Sequence, residues 1–257
     1  MSQTETAGGH VPEINTVRFG DLRAALAAGW RDFLRAPLYG FGFSLVYVLG
    51  GWLVFWALTT KGQLWWTLPA SAGFPILGPF IACGFYEISR RLEAGEPLDW
   101  GGIAGVIFRQ KDRQIPSMAA VIVIFFLFWN FLAHMIFALF LGTVSLTNIT
   151  SSLEVFATPS GMLMLAIGTA IGAVIATLLF GLTVVSLPLL LDREVDFVTA
   201  MLTSLGLVQA NPVVMLAWGA LIAVGLFLGM LPGFLGLFVV LPLFGHASWH
   251  LYRRALA

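Results

Sequence analysis

The chain has 257 residues, of which 59% are hydrophobic and only 10% charged, and its thirteen basic and thirteen acidic side chains cancel to zero net charge. A soluble domain carries roughly 25% charged residues, so this composition, with a mean hydropathy of +0.92, excludes a soluble globular protein. The neutral balance also excludes a basic nucleic-acid-binding surface. Several stretches reach the ~20 apolar residues that cross a hydrocarbon core. None alternates with the short period of a barrel strand. The fold class is therefore all-α, a polytopic membrane bundle.

Residues 1–17 are polar and lack an apolar core with a cleavage site, so they read as a cytoplasmic tail in front of a single transmembrane domain, 18–257. Over 19–35, Leu22, Leu26, Trp30, Phe33 and Leu34 recur at helical spacing, while Arg23, Arg31, Asp32 and Arg35 lie elsewhere on the wheel. That pattern predicts an in-plane interfacial helix with its arginines toward the headgroups. Pro37 opens a first span, 38–58, as a proline can in a first helical turn. Trp52, Trp56, Trp65 and Trp66 mark the far interface.

The second span, 65–88, carries Pro69, Pro75 and Pro79, which should kink or break it. A polar stretch, 90–114, holds a second short helix over 99–108. Pro116 opens the third span, 116–141. A Ser/Thr-rich loop with the sequon Asn148-Ile149-Thr150 leads to the fourth, 161–191, interrupted by Pro188. A further amphipathic segment, 197–207, precedes the fifth span, 213–231, which Pro212 opens, and the sixth, 233–251, ends in Tyr252, Arg253 and Arg254.

Six crossings with the N-terminus inside leave Lys61 as the one outward cation, and the other twelve Lys and Arg fall in inward segments. The positive-inside rule therefore predicts both termini in the cytoplasm. The order of short interfacial helix, proline-opened span and returning span recurs three times, which predicts three hairpins each preceded by an interfacial helix.

Candidate chemistry is sparse. Ionisable groups are nearly absent from the spans, which argues against an ion-coupled transporter. Asn130 and His134, one turn apart, form an intramembrane polar pair, expected to hydrogen-bond between helices. Gly168 and Gly172 form a small-xxx-small surface, and Gly225 and Gly229 repeat that spacing, so both sets read as helix-packing sites. His246 and His250 share a face and can ligate a metal or haem; with Cys83 and Glu87 they could converge on one ion if their helices touch. The alternative is anchoring at headgroup level beside Trp249 and Tyr252. A single cysteine rules out an internal disulfide. No phosphate-binding loop, dinucleotide fingerprint or hydrolase elbow is present, so neither an enzymatic activity nor a cofactor is expected.

Four motifs carry a resemblance: G-W-R-D-F-L-R-A-P at 29–37, F-P-I-L-G-P-F at 74–80, L-P-L-L-L-D-R-E-V-D-F at 187–197 and L-F-G-H-A-S-W-H-L-Y-R-R at 243–254. On these the sequence resembles a bacterial integral membrane family known only as a domain of unknown function, some of whose members are labelled cytochrome c oxidase subunit I-like. The resemblance implies a six-span protein of the bacterial inner membrane with no established reaction, associated with a respiratory complex. The expected role is an accessory, assembly or scaffold subunit, with the lipid bilayer and a larger membrane complex as partners. A small-solute channel or transporter, and a metal- or haem-binding protein using His246 and His250, are the alternatives.

Overall fold

A run of small residues decides where the first helix goes. In the computed structural model, which describes residues 12–61, 67–142 and 156–256 and their side chains outside 57–76, α1 spans Phe19–Arg35 and α10 spans Leu237–Ala255. The buried side of α1 is Leu22, Ala25, Ala28, Gly29, Asp32 and Phe33, while Trp30 and Leu34 stay exposed. The expected apolar face is therefore rotated. The reason is close packing: a Cβ on Gly29 would lie 2.6 Å from the Ala247 nitrogen of α10, an approach only small residues allow. Asp21 meets Arg254 at 3.5 Å, so α1 lies lengthwise and antiparallel on α10, and Asp32 is turned inward.

The remaining helices follow in order: α2 Pro37–Lys61, α3 Thr67–Ala94, α4 Trp100–Arg109, α5 Ile115–Leu141, α6 Pro159–Thr183, α7 Ser186–Asp192, α8 Phe197–Ala210 and α9 Pro212–Met230. No strand occurs among the described residues; Ile14 and Leu256 form an isolated bridge. Among the described residues, four helices are long and apolar enough to cross a membrane: Pro37–Trp56, Ile115–Leu141, Pro159–Asp192 (with its break) and Pro212–Met230. Large apolar side chains such as Leu38, Phe131, Leu139 and Phe227 stand exposed along them, as expected where lipid is the solvent.

Three expectations change. First, α3 is not broken by Pro69, Pro75 and Pro79 but runs unbroken to Ala94, beyond the predicted end at residue 88. It stops where Gly95 takes φ +67° and the Glu96 N–H reaches back to the Arg91 carbonyl at 2.9 Å, a glycine cap of the Schellman type. Arg90, Arg91 and Glu93 are thus helical. Second, α10 continues through Arg254. Third, residues 12–17 are no free tail. Asn15 N–H donates to the Ala255 carbonyl (2.9 Å), Val17 N–H donates to Asn211 Oδ1 (2.8 Å), and Asn211 Nδ2 returns a bond to the Asn15 carbonyl (3.2 Å).

Other expectations hold. The chain breaks between α6 and α7 at Val184 and Val185, where Pro188 has no N–H to offer the Val184 carbonyl. The Val185 N–H is taken instead by Ser204 Oγ (3.3 Å). Short helices α1, α4 and α8 each precede a long helix with a proline in its first turn, Pro37, Pro116 and Pro212. The residue 1–11 part of the tail, the Asn148 sequon, Trp65 and Trp66 lie outside the described residues.

Among the described residues, two cores hold the fold. The larger gathers Leu22, Met118, Val185, Leu207, Trp218 and Trp249 from α1, α5, α8, α9 and α10 and the α6–α7 junction. A smaller one joins Ala36, Ile88 and Ile103 where α1, α3 and α4 meet.

Candidate functional site where α1, α3 and α10 meet

The polar residues that hydropathy leaves unexplained are gathered at one end of the bundle. On α10, His246, Trp249, His250 and Arg253 follow one another at helical spacing, and α3 brings Phe85, Ser89 and Glu93 alongside. His250 sits between two carboxylates: Nε2 lies 2.6 Å from Asp32 Oδ2 and Nδ1 lies 3.1 Å from Glu93 Oε1. A neutral imidazole has one N–H and would turn a lone pair on one of these oxygens. The arrangement is satisfied by the imidazolium.

Ser89 Oγ donates to Asp32 Oδ2 at 2.8 Å. Its own lone pair then faces His246 Nδ1 at 2.9 Å, and the Phe85 carbonyl faces the same nitrogen at 3.1 Å. Both partners need a proton on Nδ1, so the network assigns that tautomer. Nε2 keeps a lone pair, and it is buried with no hydrogen-bond partner among the described residues.

The rim of the cluster is charged. Trp249 Nε1 donates to Glu93 Oε2 (3.1 Å), and Arg253 lies 3.7 Å from both Glu93 and Asp192. Tyr252 hydroxyl donates to Asp192 at 2.6 Å, which ties in α7. Burial pushes the Asp32 carboxyl up, but hydrogen bonds from His250 and Ser89 and the charge of His250 outweigh it and hold it below its ordinary value.

The four residues expected to converge on a metal are divided between different partners. Glu87 accepts from Arg90 (2.8 Å) and Arg91 (2.7 Å), and Cys83 is fully buried in the larger core. His250 belongs to Asp32 and Glu93. Among the described residues, no group of three or more His, Cys, Asp or Glu is arranged to hold a metal ion. His246 Nε2, with Nδ1 on a backbone carbonyl, is the one nitrogen here oriented as a ligating imidazole is.

Among the described residues, Asn130 and His134 form no side-chain hydrogen bond to another helix. Asn130 Nδ2 donates to the Phe126 carbonyl (2.9 Å) and His134 Nδ1 faces the Asn130 carbonyl (2.7 Å), so each satisfies itself on α5.

The glycines divide too. A Cβ on Gly172 would meet Trp129 at 2.9 Å, one on Gly225 would meet Phe244 at 2.5 Å, and one on Gly229 would meet Val240 at 3.2 Å. At Gly168 there is nothing within 4 Å. Gly168 lines an apolar groove of about 960 Å³ between α5 and α6, with Trp129, Ile136, Met164 and Leu165 on its walls.

Residues 67–192 match the family model of DUF2189, described as a predicted integral membrane protein. The match is to a membrane family of unknown function. No curated protein and no solved structure matches the chain. The DUF2189 stretch runs from α3 to α7 and so supplies Ser89, Glu93 and both walls of the α5–α6 groove. Asp32, His246 and His250 come from outside it.

Asp32, Ser89, Glu93 and Asn211 were missed from sequence. For Asp32 a signal existed: a carboxylate one turn after Ala28 and Gly29, on the small-residue side of the helix. Ser89 and Glu93 carry no comparable mark.

Proposed function

We propose that this is a non-enzymatic membrane protein that crosses the bacterial inner membrane six times, with both ends in the cytoplasm, and serves as a scaffold or accessory subunit for a larger membrane complex. α3 and α10 are the two crossings added to the four apolar helices. Three contacts support this. Trp52 Nε1 donates to the Gly233 carbonyl (2.8 Å) at one end of the bundle, while Glu93 meets Arg253 and Asn15 meets Ala255 at the other. The pairing of the segment before α1 with the end of α10 favours an even number of crossings. Contacts of α2 with α3, α5 with α6 and α9 with α10 are those three hairpins require.

The observation that carries the scaffold reading is the open α5–α6 groove. An apolar concavity with a bare glycine on its wall suits a helix of a partner, because lipid-exposed helices associate by close packing at small residues. By contrast, the ionisable groups of the α1–α3–α10 cluster are occupied with one another across three helices, as in a structural clasp. Co-purification in mild detergent is expected to recover a stoichiometric membrane partner, and Gly168→Leu to reduce that recovery while the chain itself stays folded. Repeated native preparations that yield only the monomer would overturn the reading. The resemblance read from the sequence makes a respiratory complex the first place to look.

A second reading rests on His246 Nε2. A single-imidazole site for a metal or haem there would give an absorption band or a stoichiometric metal in the purified protein, and a spectrum and elemental analysis without either removes it. Solute passage is a third; flux into vesicles no faster than into empty ones removes it.

A further inference from the structure

Ten of the thirteen Lys and Arg side chains fall into two sets. Arg90, Arg91, Arg113, Arg253 and Arg254 each lie beside a carboxylate. Arg23, Arg31 and Arg35 on α1, and Arg109 and Lys111 at the end of α4 and just after it, are exposed, and among the described residues none of them forms an ion pair. Both acidic residues of α1 are used elsewhere, Asp21 on Arg254 and Asp32 on His250. The outward side of α1 therefore carries positive charge alone.

That side also carries apolar bulk. Phe19, Trp30 and Leu34 are 53%, 43% and 59% exposed. At about 100° per residue, these three form one edge of the exposed arc with Arg23 among them, and Arg31 and Arg35 form the adjoining edge. α4 repeats the combination, with Trp100 and Phe108 exposed, the latter at 69%, followed by Arg109 and Lys111. The small core of Ala36, Ile88 and Ile103 holds the end of α1 and α4 together, so the two surfaces belong to one rim.

Water would accept the arginines and leave the aromatic and leucine side chains unburied. Hydrocarbon would accept the latter and leave the guanidinium groups without counter-charge. The boundary layer of a leaflet rich in acidic headgroups satisfies both. We propose that the outward faces of α1 and α4 form a binding surface for anionic phospholipid. Headgroup phosphates sit on Arg31, Arg35, Arg109 and Lys111, and Trp30, Leu34 and Phe108 reach into the acyl layer. Arg suits this role because its planar fork holds phosphate oxygens in pairs. The surface is separate from the α5–α6 groove, and it stands or falls independently of a protein partner.

The test uses the full chain in mild detergent, with thermal midpoints read after adding phosphatidylglycerol or phosphatidylcholine, and bound lipid counted by native mass spectrometry. Phosphatidylglycerol is expected to raise the midpoint by several degrees more than phosphatidylcholine, with the gap narrowing as salt is added. In Arg31→Gln/Arg35→Gln the gap should close and retained phosphatidylglycerol fall several-fold, with the phosphatidylcholine midpoint unchanged. Arg253→Gln, at a paired arginine, should keep the gap. Equal response of the native chain to both lipids overturns the proposal, as does an unchanged gap in the double glutamine variant. Should that variant lose stability in both lipids, Arg31→Lys/Arg35→Lys decides: return of the gap supports headgroup binding, and its absence overturns it. Recovery of an acidic protein on this face without any lipid preference also overturns it.

Discussion

The junction of α1, α3 and α10 and the hairpin of α5 and α6 solve opposite packing problems. The first is polar, sealed and cross-linked: Asp32 serves Ser89 and His250, and Gly29 lets two backbones touch. The second is apolar and open, with Gly168 facing empty space and the polar side chains of α5 bonded to their own helix. In a lipid solvent, apolar burial contributes little to holding helices together, and steric fit and hydrogen bonds do that work. The comparison teaches that the hydrophobic half of this protein need not be its best-packed half.

The strongest way to break the contrast is Asp32→Ala. It leaves the Ser89 hydroxyl and the His250 imidazolium short of a buried acceptor, a loss of about 3–5 kcal/mol when one member of a buried pair goes. A fall in thermal midpoint far larger than for any groove variant is expected, with faster amide exchange in α1. Gly29→Leu comes next. Its side chain cannot coexist with Ala247 at that spacing, and overpacking costs about 1–3 kcal/mol; the same readouts apply.

Acid should open the junction selectively. Asp32 titrates below its ordinary value in the folded chain, so its contribution is present above that value and is lost as pH falls through the lower folded one. Exchange of α1 amides, once intrinsic rates are divided out, should therefore rise as the pH falls below about 4. The α5–α6 pair should show no such step. The smallest effect is at the groove: Gly168→Ala meets no neighbour and improves helix propensity by up to about 1 kcal/mol, so the midpoint should hold or rise slightly. A marked fall would show that the groove is closed in solution.

Much of the frame was legible in the sequence because lipid imposes one dominant rule. Helix starts at Phe19, Pro37, Phe197 and Pro212 follow from turn and capping chemistry, and Asp196 and Asp99 cap their helices as that chemistry requires. The His246 and His250 pair was visible from spacing. What they touch was not, because Asp32 lies over two hundred residues away and its inward turn is set by Gly29 against Ala247, a contact that no periodicity encodes. The unbroken α3 was missed for a related reason. A proline removes one hydrogen bond, and whether the helix breaks depends on what packs around it.

The small clasp of Asn15, Val17, Asn211 and Ala255 has a consequence for how the molecule is made. The strap ahead of α1 is translated before any of the helices α1 to α10, yet its hydrogen-bonding partners, Asn211 and Ala255, come only after α8 and in the last turn of α10. It must wait, unpaired, until every helix has been delivered to the membrane. A segment translated ahead of every helix is then among the last to settle, which makes this strap the natural seal on a finished copy.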